Sequence, residues 1–401
     1  MRIGVVHWGF LPRGGGVEAH LATVCPEMVK QGAEVFLLTE TFSGFPEEEL
    51  LNGVKVIRSD GMSIPRLDER KKIEEDLYPS VYEMFADFIE KYQIQAVQAH
   101  NLHMDFYFLS KALNDVCWER KIPCFLIIHN QEFIDRDYER MKRILRDLPW
   151  TKLIPISQFI SKELQRNIPE IPKNKYRVIR HGTDLDVFRP LPKEEREGLK
   201  EKYGFKGHRV ILHPARMLRW KGIVPAIKAM PAVIKRFPDV KLVLTGKVSA
   251  IVKGQKDVKE YYALVDETIA ELSIKDNVHI GNYKFSDIPN LTTLADVSIY
   301  TTIGEEPFGL CPVEANACGV PAIVTASGGL LETVADKKTG FIISKDENKI
   351  PAELADRVLK IFSDPDLADK MGKVGRKRAE EMFDKKRMAK ELIDLCSSEG
   401  G

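Results

Sequence analysis

Short apolar runs separated by longer stretches of helical periodicity recur along this chain, and that alternation limits its fold more than any other feature. The runs RIGVVHW, AEVFLLT, VKVIR, QAVQA, PCFLII, KLIPI and YRVI occupy the first half, and RVILHP, VKLVLTG, NVHIG, DVSIYT, PAIVT and GFII the second. Strands this apolar, each followed by a helix-length connection, imply parallel sheets covered by helices on both faces, an α/β fold. The series restarts near residue 205, after the polar, proline-containing stretch HGTDLDVFRPLPKEE, which reads as an interdomain connection. A chain of 401 residues also exceeds a comfortable single core. The expected division is a first domain over 1–185 and a second over 186–401. The charged amphipathic tail from Asp364 onward is expected to pack on the second domain as a solvated helical region.

Charge excludes some functions. With 60 Lys and Arg against 59 Asp and Glu, the formal net charge is +1, which gives a generic nucleic-acid binder no footing. Six cysteines (Cys25, Cys117, Cys124, Cys311, Cys318, Cys396) show no paired metal spacing and read as reduced thiols. Met1 leads within two residues into a strand-like run with no signal-peptide core, and no run is long enough to span a bilayer, so a cytoplasmic chain is expected. The segment 135–152, DRDYERMKRILRDLPWTK, mixes basic residues with Ile144, Leu145, Leu148 and Trp150. It admits at most a peripheral membrane contact, and its acids favour a plain surface helix.

The stretch GEEPFGLCPVEANACGVP, residues 304–321, holds Glu306 and Glu314 eight positions apart. No single helix carries both, because Pro307, Gly309 and Pro312 interrupt the interval. Glu306 is therefore expected in a loop. Glu314 is expected in the first turn of a short helix opened at Pro312 and stopped by Gly319 and Pro321. The apolar run before them makes the unit strand, loop, helix, strand, which puts acids and backbone amides at the carboxyl end of a parallel strand, where open α/β sheets bind ligands. Two further loops belong to the same pattern. WGFLPRGGGVEAHLATV places three glycines before a helix starting around Val17, a geometry suited to anions. Its spacing is not GxGxxG, although Glu40 ends the next strand where a dinucleotide site would use a ribose acceptor. In HPARMLRWKG, Arg216 and Lys221 follow a strand, and a guanidinium and an ammonium so placed can clamp a diphosphate. His7, His20, His100 and His103, taken singly, read as packed or solvated residues.

Together, GGGVE, IIHN, VIRHGTDLDVFRP, ARMLRWKG, EPFGLCPVEANACGVPAIVT and ASGGLLETV resemble the retaining glycosyltransferases of family 4, the glycosyl transferases of group 1. Glutamate, seven residues, glutamate around an internal Phe-Gly-Leu is a hallmark of that family. The hinge departs from it with His181, where many relatives have asparagine. The resemblance implies a GT-B fold of two facing Rossmann-like domains with an interdomain cleft, the acceptor mainly on the first and the donor mainly on the second.

It also implies roles. Arg216 and Lys221 would neutralise the diphosphate of a nucleotide sugar, with no metal and no cofactor. Glu314 would accept ribose hydroxyls and Glu306 a hydroxyl of the transferred sugar. Amides of Phe308, Gly309 and Leu310 would add donors, Gly15 and Gly16 would reach the phosphate from the first domain, and His129 would lie near the sugar ring. The donor is expected to be a UDP-sugar before a GDP-sugar, and the acceptor a sugar, a small molecule or a lipid-linked hydroxyl, with no nucleic acid involved. An epimerase on the same fold, a non-catalytic nucleotide-sugar binder and a dinucleotide-dependent oxidoreductase stand as alternatives. The complete set of Arg216, Lys221, Glu306 and Glu314 argues against the binder, and the missing GxGxxG against the oxidoreductase.

Overall fold

The computed structural model describes residues 1–63, 70–104, 107–130, 138–246 and 256–398. The chain forms two compact units, residues 1–182 together with 385–401, and residues 183–384. The change of unit at 182 lies close to the expected boundary. The tail, however, is divided: the helix Pro365–Met382 belongs to the second unit, and the helix Lys385–Ser398 to the first.

In the first unit, β1 (Arg2–Val6), β2 (Glu34–Glu40), β3 (Glu48–Leu51), β4 (Val54–Ser59), β5 (Ala96–His100), β6 (Cys124–Ile128) and β7 (Lys152–Pro155) form one sheet in the order β3-β4-β2-β1-β5-β6-β7. Six of the expected runs supply strands here. YRVI does not: it lies beside β7 with a single bridge, Leu153 to Tyr176. The added strand, β3, is antiparallel to β4. Its sequence, EELL, is too short and too charged to read as a strand. The charges suit an edge, since Glu48 pairs with Lys55 at 2.9 Å and with Lys91 at 2.6 Å and discourages further strand addition. Every residue of β5 and β6 is buried, as a central parallel strand demands.

The second unit holds β8 (Arg209–His213), β9 (Val240–Leu244), β10 (Val278–Ile280), β11 (Val297–Tyr300), β12 (Ala322–Thr325) and β13 (Gly340–Ile343), all parallel, in the order β10-β9-β8-β11-β12-β13. Both sheets therefore reverse direction of winding once, at β1/β5 and at β8/β11, and a crevice for ligands opens at the carboxyl ends of the strands flanking such a reversal.

Within the basic segment after β6, residues 135–137 lie outside the described residues, and the helix runs from Tyr138 to Asp147. Ile144, Leu145, Leu148 and Trp150 are all buried, and the Trp150 indole N–H donates to the Ile144 carbonyl at 2.8 Å. The apolar face of this segment is already used by the protein core. Among the described residues no helix is long and apolar enough to cross a membrane.

The returning helix Lys385–Ser398 packs on the helix Gly16–Lys30 and buries Met388, Ala389, Leu392, Leu395 and Cys396. It also satisfies a polar group inside the sheet: the amide of Gln98, in the middle of β5 and 1% exposed, donates to the Leu392 carbonyl at 3.2 Å and to Cys396 Sγ at 3.1 Å. A chain ended after Asp384 should therefore lose several kcal/mol of stability in the first unit alone, since each large apolar side chain uncovered costs about 1.5–3 kcal/mol and Gln98 loses its partners. Limited proteolysis should cut within 1–182 and spare 183–384. Equal resistance of both units would show that the tail is dispensable.

Candidate active site

The second unit's site is built on the two strands at its winding reversal. After β8 the chain makes a short turn, Arg219–Lys221, and Gly222 then enters the helix Ile223–Arg236 with φ +68°. A Cβ at Gly222 would lie 1.8 Å from the Thr301 carbonyl oxygen, so only glycine lets this turn press against the end of β11. The Thr301 hydroxyl donates back to the Gly222 carbonyl at 2.8 Å. These contacts bury Lys221, which is 6% exposed, beneath the loop that follows β11.

That loop carries Glu306, as expected, and its backbone is fixed from β12. The Glu306 N–H donates to Ser327 Oγ at 3.0 Å, and the Gly329 N–H donates to the Glu306 carbonyl at 2.7 Å. Gly328 has φ +44°, and a Cβ there would meet the Glu306 carbonyl oxygen at 2.2 Å. The SGG of ASGGLLETV thus clamps the glutamate loop, a use that its sequence alone does not reveal.

Lys221 and Glu306, assigned separately in the sequence reading, lie together. Lys221 Nζ donates to Glu306 Oε2 at 2.7 Å, and the Tyr300 hydroxyl donates to the same oxygen at 2.9 Å. Lys221 also bonds the Tyr300 hydroxyl, and its ammonium lies 3.7 Å from the centre of the Trp220 ring. Burial pulls the Lys221 ammonium below the usual lysine range, and the Glu306 carboxylate opposes that shift. Burial, reinforced by Glu306, raises the Tyr300 phenol well above its usual value, so it remains a donor. Tyr300, which the sequence reading leaves as a plain strand position, is thus a member of this network. Arg216, on the same loop as Lys221, is exposed, and its charge lowers the pKa of Lys221 further.

The helix after Glu306 runs from Leu310 to Ala317 with Gly309 as its cap. The helix starts two residues earlier than expected, so Pro312 occupies its third position, where a missing N–H still costs no helical bond. Glu314 accordingly lies just beyond the first turn. Burial pushes its carboxyl up to about 7, although part of the residue reaches solvent. Phe308 is 2% exposed, with its ring edge-on to Phe383 at 5.9 Å. Its side chain serves the core, which leaves the 308–310 backbone as the part of this segment able to meet a ligand.

In the first unit, β1 ends at the glycine loop and Gly15 caps the helix Gly16–Lys30. A Cβ at Gly15 would meet Glu18 Oε2 at 2.2 Å, whereas one at Gly16 has nothing within 4 Å. Gly16 therefore borders open space, and Gly15 covers a carboxylate. Glu40 is occupied by Arg13, at 3.0 Å.

His129 follows β6, and its position is set by Asn101, whose Oδ1 accepts the His129 N–H at 2.9 Å. Both of its ring nitrogens are engaged by other histidines. Nε2 is 2.8 Å from His100 Nδ1, and Nδ1 is 2.9 Å from His181 Nε2. The resemblance puts His129 near the sugar ring; in this arrangement its imidazole is engaged on both sides. His7, His20, His100 and His181, read one at a time from the sequence, converge around it. His20 stacks on His181 with ring centres 4.3 Å apart, and His7 Nδ1 donates to the His100 carbonyl at 2.9 Å. Burial holds all five imidazoles below their usual range, His7 at about 4 and His20 at about 3.

The buried pair in the second unit gives a direct test. Lys221→Met leaves Glu306 without its cation and should cost about 3–5 kcal/mol, read as a lowered urea midpoint. The double change Lys221→Met with Glu306→Gln removes both charges and should recover part of that loss. If single and double variants unfold at the same midpoint, the two groups are energetically independent.

The comparisons with known proteins bear on the family and the fold. The family described as Glycosyl transferases group 1 matches residues 195–378, and Glycosyltransferase Family 4 matches residues 14–187. Spore coat protein SA of Bacillus subtilis (strain 168) is 25% identical over 407 residues, covering 98% of this chain and 99% of its own. A glycosyltransferase from Rickettsia africae ESF-5 superposes with a TM-score of 0.80 at 22% identity, covering 99% of this chain and 98% of that one. HepE of Anabaena, solved in complex with UDP and glucose, gives 0.78 at 18% identity, covering 99% and 100%. The two family matches fall one on each sheet-bearing unit, and both motif loops lie within them: the chain belongs to glycosyltransferase family 4, the group 1 glycosyl transferases, and is a glycosyltransferase of the GT-B fold.

Proposed function

We propose that this enzyme transfers a sugar from a nucleotide diphosphate sugar, a UDP-sugar before a GDP-sugar, to an acceptor hydroxyl with retention of anomeric configuration. The carrying observation is the buried Lys221–Glu306–Tyr300 network at the β8/β11 reversal, beside the amino end of the helix that bears Glu314. A fixed ammonium, the Arg216 guanidinium and a helix amino terminus favour negative charge. In transfer the charge that grows is on the departing diphosphate, so these groups act on the transition state more than on the bound donor. They supply what a divalent cation would otherwise supply, and the reading needs no metal at the diphosphate and no cofactor.

Glu306 accepts both of its described side-chain bonds on Oε2, which leaves Oε1 for a hydroxyl of the sugar. Glu314 takes the ribose hydroxyls. With both carboxylates so engaged, neither attacks the anomeric carbon, and a covalent glycosyl-enzyme of the kind retaining hydrolases form is disfavoured. The acceptor oxygen instead bonds the anomeric carbon on the face from which the diphosphate leaves, and the departing phosphate oxygen takes the acceptor's proton. Amides at 308–310 and around Gly15 and Gly16 are the remaining donors to sugar and phosphate. His129 contributes through its backbone carbonyl. The acceptor is a sugar, a small molecule or a lipid-linked hydroxyl. The reading places the enzyme in the cytoplasm, with at most peripheral membrane contact, consistent with the buried apolar face of the helix Tyr138–Asp147.

A thermal-shift panel of nucleotide sugars tests the donor. The true donor at 100 times its Kd should stabilise the chain by about 2.7 kcal/mol, and the product formed with it should keep the donor's anomeric configuration by NMR. Inversion would overturn the front-face route. Adding magnesium or manganese should leave the transfer rate unchanged; a requirement for either would remove the Arg216–Lys221 assignment.

The Glu314 carboxyl supplies a further, pH-dependent test. With its value near 7, it passes from carboxyl to carboxylate between pH 6 and 8, and only the carboxylate accepts two ribose hydroxyls. Affinity for UDP should therefore rise across this window more steeply in the native enzyme than in Glu314→Gln, where titration of the phosphate is the same and the carboxylate is absent. At pH 8 the variant should bind UDP about 10-fold or more weakly, the loss of a charge-assisted bond worth about 1.5–3 kcal/mol. Parallel pH profiles in calorimetry would take ribose away from Glu314.

A further inference from the structure

The histidine cluster of the first unit contains a polar group that nothing among the described residues satisfies. His20 is 5% exposed, and neither of its ring nitrogens has a hydrogen-bond partner among the described residues. Nor does His100 Nε2. An unpartnered buried polar atom costs about 1–3 kcal/mol, and a cation bonded to His20 relieves one of its two. A nitrogen from each of His20, His100 and His129 falls within 4.8 Å of the other two. The three residues come from separate elements, the helix Gly16–Lys30 and the carboxyl ends of β5 and β6.

We propose that His20, His100 and His129 form a binding site for one transition-metal cation of the zinc class, which ties the helix beginning at Gly16 to the ends of β5 and β6. Imidazole is a preferred donor for zinc, copper and nickel, and three histidines with one further position make a tetrahedral site. The hydrogen bonds around the cluster assign the donor atoms. His181 Nε2 faces His129 Nδ1, so His129 offers Nε2, and that atom faces His100 Nδ1 at 2.8 Å. Ligand nitrogens about 2.0–2.1 Å from a tetrahedral metal are about 3.3 Å apart, so this pair opens by about half an ångström as the ion replaces the proton between them. His100 then carries its proton on Nε2. The N–H bond at His100 Nδ1 breaks as its proton passes to Nε2 of the same ring, three nitrogen–metal bonds form with the fourth position left to a water, and nothing is oxidised or reduced.

The layer around the site has the parts such a centre needs. His181 holds the second nitrogen of His129, as the outer partner of a ligating histidine does. The Glu18 carboxylate, 6% exposed, lies 4.0 Å from His7 Nε2 and two residues from His20, and brings negative charge toward a buried cation. The proposed metal ligands are imidazoles of the first unit, whereas Arg216 and Lys221 belong to the second, so binding of UDP is a readout that does not itself measure the metal.

The test uses the full chain without a histidine tag, grown with added zinc and assayed for metal by mass spectrometry. About one zinc per chain is expected. After stripping, cobalt(II) should bind one-to-one with the visible absorption of a tetrahedral nitrogen site, and zinc should raise the Tm. His20→Gln and His20→Ala should lose the stoichiometric metal, the cobalt spectrum and the zinc-dependent rise in Tm, while keeping the native circular dichroism. His181→Asn should weaken cobalt binding about 10- to 100-fold. Metal far below one per chain in the native protein, with no tetrahedral cobalt spectrum, would overturn the proposal and leave the cluster as a hydrated hydrogen-bonded core. Unchanged metal content in both His20 variants would overturn it equally.

Discussion

A parallel sheet covered on both faces has no free edge or face on which to do chemistry in its middle, and that constraint organises this protein. Central strands such as β5, β6 and β11 are buried along their length, so polar side chains collect where the strands stop. Among strand ends, those flanking a winding reversal diverge and leave room. The first unit gathers its histidines around β1, β5 and β6, and the second gathers Lys221, Tyr300 and Glu306 around β8 and β11. Each collection follows from strand order and does not depend on the other.

Placing charge at such a point requires that it be compensated before any ligand arrives. The Lys221 ammonium is held by a carboxylate, a phenol and an indole face; an isolated buried ammonium would instead give up its proton. The carboxylate is in turn fixed through its own backbone by Ser327 and Gly329. The motif residues therefore form a chain of dependence: the glycines after β12 hold the glutamate loop, the glutamate holds the lysine, and Gly222 lets the lysine turn approach. Preorganisation of this kind removes the cost of assembling the site when a charged ligand binds.

Much of this is legible in the sequence because it follows local rules. Twelve of the thirteen strands among the described residues correspond to apolar runs that stand out without context, and glycine and proline mark Glu306 as a loop residue. Other features depend on distant partners. β3 is a strand only because β4 lies beside it. The helix bearing Glu314 begins at Leu310 because Gly309 adopts φ +88°, which a rule based on Pro312 does not foresee. Tyr300 looks like an ordinary strand residue until the glutamate six positions later folds back on it. The histidines at 7, 20, 100, 129 and 181 are scattered through the sequence: the first three read singly as packed or solvated residues, His129 stands out only through the family resemblance, and His181 only as a departure from it. Their meeting is a property of the strand order.

The division of the tail bears on how the protein is made. Because residues 385–398 complete the first unit, the 202 residues of the second unit are an insertion within it. On the ribosome, at roughly 5–20 residues per second, the first sheet waits about 10–40 s for its last helix. Through that interval the apolar face of the helix Gly16–Lys30 and the amide of Gln98 stay uncovered, and at its end the second unit already has all of its own chain. The unit synthesised first is thus the unit finished last, and during synthesis it is the part of the nascent chain with most need of a chaperone.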